Sequence, residues 1–137
     1  EQAFGYAALI DCHSMPSSVA RGRPEDCKRA DIVLGDRYGT SCDPALIETA
    51  ELELRRRGYN VLRNKPYAGG FITEHYGNPA MGWHALQIEV NRALYMDERR
   101  FELSSDFTQL SQDLVSLADK LAAIPLEELR PYRAAAE

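Results

Sequence analysis

Short apolar runs along the chain alternate with longer stretches whose apolar residues recur at helical spacing. Residues 7–11 and 31–35 each contain a short unbroken run of apolar residues beside an aspartate, which is typical of strands buried on both faces of a sheet. Residues 59–64 predict a third strand, stopped by a Lys-Pro pair. Residues 15–28 are rich in proline, serine, arginine and glycine and predict a loop. Because a helix is expected between the second and third strands, the pattern predicts an α/β fold.

Two segments carry an apolar stripe at helical spacing. Asp43 and Pro44 begin the first helix, since an aspartate can cap it and proline suits its first position. Its stripe consists of Leu46, Ile47, Ala50 and Leu54. Gly58 can take the left-handed conformation that ends it. The second helix begins near Ser105 and Asp106, and its stripe predicts packing on the sheet. That stripe consists of Phe107, Leu110, Leu114, Leu117, Leu121 and Ile124.

A long segment between these helices has no clear periodicity and is followed by a strand. Residues 67–82 contain several glycines and Pro79, so they predict a long irregular segment that is ordered rather than disordered. Residues 83–91 alternate, with mostly apolar side chains at even positions and mostly polar ones at odd positions. This alternation predicts a strand with Gln87, Glu89 and Asn91 on one face.

Composition narrows the class of protein. The 137 residues, 45% hydrophobic and 27% charged, suit a single domain or the C-terminal part of one. A net charge of −5 argues against a nucleic-acid partner, and no apolar stretch has membrane-spanning length. The three cysteines form no CxxC pair, which favours reduced thiols and a cytoplasmic location. The chain begins without methionine, so we interpret its start as an internal cut in a longer protein; a processed N-terminus is the alternative.

Two residues have the chemistry of a hydrolytic site. His13 follows a predicted buried strand beside Asp11, where a neutral imidazole can bind zinc, although a structural histidine is the commoner outcome for an isolated histidine. Glu89 lies in a mostly apolar strand and could act as a general base, or it could simply face solvent. A Cys12–His13 dyad is geometrically poor, because neighbours in a strand point to opposite faces.

The segment from Asn64 to Thr73 is a candidate ligand-binding loop. Its two adjacent glycines, Gly69 and Gly70, allow a backbone to approach a ligand closely, and Asn64, Tyr67 and Thr73 add hydrogen-bonding groups. A plain turn is the alternative. Two further histidines lack the spacing of a zinc motif, and we do not favour them as ligands; these are His75 and His84.

Four strings in order resemble the N-formylglutamate amidohydrolase family: DCHSMPS, LGDRYGTSCDP, NKPYAGGFITEHYG and GWHALQIEVNRALYMDE. The resemblance spans residues 7–98. It implies a three-layer α/β/α sandwich around a mixed sheet, akin to zinc carboxypeptidase-like hydrolases. It also implies Zn²⁺ as cofactor, with His13 as a ligand and Glu89 as the base that activates water. The remaining ligands, a histidine and an acidic residue, are expected upstream of this chain.

The resemblance implies hydrolysis of N-formyl-L-glutamate to formate and glutamate, within histidine breakdown. A substrate with two carboxylates needs cationic partners, and Arg92, Arg63 and Lys65 lie near the site segments. Arg92 is the candidate retained, although strict alternation would point it away from Glu89. The candidate substrate-binding residues are Asn64, Tyr67, Gly70, Thr73 and Arg92. Two alternatives stay open: a related deacylase acting on other N-acyl amino acids, and a non-catalytic fragment or binding module that keeps the fold.

Overall fold

The computed structural model describes residues 5–18 and 30–129. Its main sheet consists of β1 (Ala7–Met15), β2 (Ile32–Gly35), β3 (Val61–Arg63) and β4 (Trp83–Asn91). The spatial order is β1-β4-β2-β3. Strand β4 runs parallel to β1 and antiparallel to β2, and β2 runs parallel to β3. The predicted mixed sheet is therefore confirmed. A two-stranded ribbon follows, formed by β5 (Met96–Asp97) and β6 (Glu102–Leu103).

Helices lie on both faces of the main sheet. The helices are α1 (Pro44–Arg56), α2 (Phe71–Tyr76), α3 (Phe107–Ala122) and α4 (Leu126–Leu129), with 3₁₀ turns at Pro79–Met81 and Arg92–Leu94. Helices α1 and α3 share one core with the even positions of β4. That core includes Leu46, Ile47, Leu54, Leu86, Ile88, Val90, Leu117 and Leu121. Helix α2 begins beside Gln87 on the opposite face. The three layers agree with the predicted α/β/α arrangement.

Helix α1 forms as its sequence predicts. The Asp43 carboxylate accepts a hydrogen bond from the Ala45 N–H at 2.9 Å, which satisfies one of the unpaired donors of the first turn. Glu51 and Arg55 form the expected i,i+4 ion pair. Gly58 adopts φ 93°, a left-handed conformation that favours glycine and ends the helix. The predicted apolar stripe is buried.

Three predicted boundaries are wrong: the end of β1, the start of the loop at residue 15, and the extent of β3. Strand β1 does not end at residue 11 but continues to Met15, because β4 offers a paired partner for each of its nine residues. His13 therefore lies within the strand, and Met15 is buried rather than in a loop. The rest of the predicted loop beyond residue 18, including Cys27, lies outside the described residues. Strand β3 is shorter than predicted, since Asn64 at φ 60° turns the chain away.

The segment at residues 67–82 is less irregular than predicted. It contains the six-residue helix α2 and a 3₁₀ turn, elements too short for helical periodicity to show in the sequence. None of the helices within residues 5–18 and 30–129 is long and apolar enough to cross a membrane.

Candidate active site

The pairing of β1 with β4 brings the two candidate residues together. In the parallel register His13 lies directly opposite Glu89, and Asp11 lies opposite Gln87. Because paired residues on neighbouring strands point to the same face, all four side chains share the face that α2 covers. Cys12 is paired with Ile88 and points to the other face, as predicted. The site is therefore a polar strip on two adjacent strands.

His13 is accessible and oriented by a carboxylate. Its Nε2 lies 3.0 Å from Oδ2 of Asp11, and its side chain is 50% exposed. A carboxylate that accepts from one ring nitrogen fixes the tautomer and directs the other nitrogen, which is the usual arrangement around a metal-binding histidine. The Nδ1 atom is therefore the one that could bind a metal ion.

Glu89 is buried, which removes the solvent-facing alternative. The residue is 7% exposed, and its Oε1 accepts a hydrogen bond from Gln87 Nε2 at 2.8 Å. Burial raises the pKa of the Glu89 carboxyl above its ordinary value, while His13, the Gln87 amide and Arg92 oppose that rise. A carboxylate with a raised pKa is a stronger base toward water than a solvated one.

Gln87 is fixed from its other side by the start of α2. The Gly70 N–H donates to Gln87 Oε1 at 2.7 Å, so the amide nitrogen of Gln87 must face Glu89. The Thr73 hydroxyl in turn donates to the Gly70 carbonyl at 2.8 Å. A Cβ at Gly69 would lie only 2.4 Å from Thr73 Oγ1, and its φ of 114° also requires glycine. The two glycines therefore allow the series of hydrogen bonds that connects Thr73, Gly70 and Gln87 to the Glu89 carboxylate.

Arg92 lies just past the end of β4 and contacts Ser14 near the end of β1. The Asn91 side chain accepts from the Ala93 N–H at 3.1 Å and begins the 3₁₀ turn Arg92–Leu94. Strand alternation thus stops at Asn91, and it does not govern Arg92. The guanidinium donates from Nε to Ser14 Oγ at 3.2 Å, and its charge lowers the pKa of Glu89.

Comparison with known proteins identifies the family to which the chain belongs. The model of the family described as N-formylglutamate amidohydrolase matches residues 1–96. The chain belongs to this family. N-formylglutamate deformylase of Pseudomonas putida is 39% identical over 113 residues, and that of Pseudomonas aeruginosa is 38% identical over 114 residues. The crystal structure of N-formylglutamate amidohydrolase from Ralstonia eutropha JMP134 superposes with a TM-score of 0.80 at 39% identity.

The chain spans less than half the length of these amidohydrolase relatives. The matches cover 81% and 82% of this chain but 42% of each Pseudomonas protein. The structural match covers 93% of this chain and 45% of the Ralstonia chain. More than half of the polypeptide in the solved amidohydrolase therefore has no counterpart in this chain.

Two of the predicted substrate-binding residues, Asn64 and Tyr67, follow β3 and belong to neither β1 nor β4. The Asn64 amide is engaged with Asp36: its Oδ1 accepts from the Asp36 N–H at 3.1 Å, and its Nδ2 donates to Asp36 Oδ1 at 2.7 Å. Tyr67 packs against a small buried cluster that contains Met15 and Val33, which lie on the same face of the sheet as His13 and Glu89. Gly70 and Thr73 reach the strip indirectly, through Gln87. Their direct contact with substrate stays a prediction.

The remaining histidines have structural surroundings. His84 is buried, with Nδ1 accepting from the Asp43 N–H at 3.0 Å and Nε2 2.7 Å from the Leu129 carbonyl. Both ring nitrogens are thus occupied, and the neutral ring joins the start of α1 to α4. His75 is exposed and stacks on Phe71 with ring centroids 5.0 Å apart.

The described residues contain no complete set of ligands for a metal ion. No group of three or more histidine, cysteine, aspartate or glutamate side chains within residues 5–18 and 30–129 could hold a metal ion. A tetrahedral catalytic zinc requires three protein ligands. The imidazole of His13, held by Asp11, has the chemistry of one such ligand.

Gln87 is the site residue that sequence reasoning did not assign. The alternation in β4 placed it beside Glu89, but its role depends on the Gly70 N–H, which is 17 residues away in sequence. Two adjacent glycines followed by a polar residue in a strand gave only a weak signal of that contact. Tertiary structure was needed to join them.

Proposed function

We propose that this chain forms part of a zinc-dependent amidohydrolase that converts N-formyl-L-glutamate to formate and glutamate. The observation that carries the proposal is the register of β1 and β4, which sets a buried Glu89 directly opposite a carboxylate-oriented His13. The deformylase names of the Pseudomonas relatives support the substrate. Further zinc ligands would come from the part of the family fold that this chain does not span.

In this proposal each residue has a distinct task. His13 would hold the metal ion through Nδ1, and Asp11 would keep the ring in the required tautomer. Zinc, when bound, would supply a Lewis acid that polarises the formyl carbonyl and acidifies water. Gln87 would keep the Glu89 carboxylate in one orientation, because its own amide is held by Gly70.

Glu89 would transfer one proton in two steps. It takes a proton from the attacking water while the water oxygen forms a bond to the formyl carbon. It then gives that proton to the amide nitrogen as the C–N bond breaks, which releases formate and the free amine of glutamate. The buried position favours this exchange, because a poorly solvated carboxylate accepts a proton more readily.

A cation near the site would recognise the substrate carboxylates. Arg92 is the candidate, since its guanidinium reaches Ser14 beside His13 and can present a planar fork to a carboxylate. Asn64, Tyr67, Gly70 and Thr73 remain further candidates for substrate contact. A cytoplasmic location and a place in histidine breakdown stay predictions.

Replacing Glu89 by glutamine in the natural gene product that contains this chain tests the catalytic role. Because glutamine cannot accept the water proton, formate release from N-formyl-L-glutamate should fall at least about 100-fold. Zinc content, measured by atomic absorption, should remain unchanged. Glu102→Gln, at an exposed position on β6, is the matched control and should retain activity. A Glu89→Gln protein with wild-type rates would remove Glu89 from the mechanism.

Two alternative functions give different outcomes in the same assay. A related deacylase would release the acyl group faster from N-acetyl or other N-acyl amino acids than from N-formyl-L-glutamate. A non-catalytic module would bind no stoichiometric zinc and release no formate from any of these substrates.

A further inference from the structure

The peptide unit between Gly69 and Gly70 is held at both of its polar ends. Its carbonyl, on Gly69, accepts a hydrogen bond from Arg37 Nη1 at 3.3 Å. Its N–H, on Gly70, donates to Gln87 Oε1 at 2.7 Å. Because the C=O and N–H of a trans peptide point in opposite directions, this single unit connects the Arg37 guanidinium to the Gln87 side chain.

Together with Gln87, this peptide forms a series of aligned hydrogen bonds that ends at Glu89. Gln87 Nε2 donates to Glu89 Oε1 at 2.8 Å, and both side chains are buried. Every donor points the same way, from the Arg37 guanidinium through the peptide and the Gln87 amide to the Glu89 carboxylate. Hydrogen bonds linked in this way polarise one another, and they are stronger in a buried environment than in water. The series therefore has a cation at its donor end and the candidate base at its acceptor end.

Arg37 is held in place by a strained backbone. Arg37 and Tyr38 both adopt left-handed conformations, with φ of 53° and 58°, which are unfavourable for residues with a Cβ. Asn64 secures this turn, because its Oδ1 accepts from the N–H groups of Asp36 at 3.1 Å and Tyr38 at 3.3 Å. Strained conformations persist only where the surrounding structure enforces them, and they cluster at functional sites. The turn thus directs Arg37 toward the glycine pair.

The turn at residues 68–70 packs closely against Arg37 and the end of β2. The Arg37 N–H donates to the Ala68 carbonyl at 2.7 Å. A Cβ at Gly35 would lie 2.7 Å from backbone atoms of Ala68 and Gly69, so the approach of the turn requires glycine there. Arg37 Nη2 also forms an ion pair with Glu74 at 3.3 Å, but the Glu74 side chain is 63% exposed and solvent weakens this pair. Nη1 stays directed at the Gly69 carbonyl.

We propose that Arg37 is a positioning residue for the general base, acting through the Gly69–Gly70 peptide and Gln87 on Glu89. Its charge strengthens the hydrogen bond from Gln87 to Glu89 Oε1, which holds the carboxylate in one orientation and leaves Oε2 to accept the water proton. Arg37 does this without contacting the substrate. The inference rests on the proposed role of Glu89 as base, but the hydrogen bonds can be tested without substrate or zinc.

NMR of this chain alone tests whether the series depends on Arg37. Arg37→Met removes the charge and the donor while keeping a long side chain. The Gly70 amide should then exchange with solvent at least about fivefold faster, because the peptide has lost its second anchor. The Gln87 Nε2 protons should shift upfield, because their hydrogen bond to Glu89 weakens. The amide of Ile88, in the centre of β4, should keep its exchange rate.

A second arginine provides the control for this NMR experiment. Arg56→Met removes an exposed ion pair with Glu53 on α1 and should change neither the Gly70 exchange rate nor the Gln87 shifts. Unchanged Gly70 exchange and Gln87 shifts in Arg37→Met would overturn the proposal. Faster exchange at Ile88 by the same factor as at Gly70 would also overturn it, because it would show a loss of overall stability instead.

Two further variants separate the charge of Arg37 from its hydrogen bond. In the natural gene product that contains this chain, Arg37→Gln can still donate to the Gly69 carbonyl but carries no charge. Its kcat for formate release from N-formyl-L-glutamate should fall at least about tenfold, with KM unchanged within about twofold, because the substrate contacts are intact. Arg37→Lys, which keeps the charge, should recover about half of the wild-type kcat or more.

The same assay contains the outcomes that would overturn the proposal. A wild-type kcat for Arg37→Gln would show that the charge has no role. A raised KM with unchanged kcat would show that Arg37 binds substrate directly. Glu74→Gln removes the ion pair but leaves the series intact, so it should retain kcat, and a loss as large as that of Arg37→Gln would assign the effect to the ion pair. If the wild-type gene product releases no formate, the proposed hydrolysis fails, whereas the NMR measurements still decide whether Arg37 controls the series.

Discussion

Glu89 is a buried carboxylate whose only described neutral donor, Gln87, is itself held by the Gly70 backbone. Burial disfavours the charged form more than His13, Gln87 and Arg92 favour it, which is why the pKa of Glu89 lies above the ordinary value. A buried charge of this kind lowers the stability of the folded protein. Such groups are common at functional sites, where the chemistry requires them. Strand alternation predicted that Gln87 and Glu89 share a face, but their pairing with His13 depends on a register that the sequence of either strand cannot reveal.

Folding stability should depend on the charge of Glu89. Because the pKa of Glu89 is raised in the folded chain, the folded state binds the proton more tightly than the unfolded state. The cost of the buried charge is present above the folded pKa and is relieved as pH falls through it. Glu89→Gln, which mimics the neutral form, should raise the thermal midpoint at pH 7 by a few degrees, roughly 2–5 °C.

This gain should shrink as the pH is lowered through the raised pKa of Glu89. Circular dichroism melts of this chain at a series of pH values would measure it. Glu102→Gln, at an exposed position, should show no such pH dependence. A midpoint for Glu89→Gln below that of wild type at pH 7 would contradict the assignment of a buried, disfavoured charge.

At the scale of elements, α1 and β4 follow from local sequence, whereas α2 and the end of β1 do not. The cap at Asp43 and the helical stripe define α1, and strict alternation defines β4. Helix α2 has six residues, which is too short for a periodic pattern. The polar run after residue 11 resembled a loop, and only pairing with β4 extends β1 through His13. Elements that are fixed by tertiary contacts were the ones that sequence reasoning missed.

Substitution of Asp43 directly tests how α1 begins. Removing the carboxylate by Asp43→Ala leaves the Ala45 N–H without its acceptor and should lower the free energy of unfolding by about 1 kcal/mol. Asp43→Ser, which restores a capping oxygen, should recover most of that loss. Urea titrations of the three proteins would measure it. An unchanged stability for Asp43→Ala would show that the carboxylate does not stabilise α1.

For the whole molecule, the family strings predicted the α/β layers and the mixed sheet, while composition gave only the general class. The family match and the TM-score of 0.80 confirm that the chain belongs to this family. The chain corresponds to 45% of the length of the Ralstonia chain. The chain holds one side of the candidate site: one oriented histidine, one buried carboxylate and the residues that fix them. No group of three metal-binding side chains lies together in the described residues, so the zinc expectation comes from the family resemblance and not from local patterns in this sequence.

The most direct test of the account is to locate the metal in the natural gene product that contains this chain. Anomalous diffraction at the zinc edge should show one zinc ion at about 2.0–2.1 Å from a ring nitrogen of His13, on the sheet face that carries Glu89. Its remaining protein ligands should lie outside the described residues. A protein without zinc, or with zinc bound away from His13, would contradict the central claim.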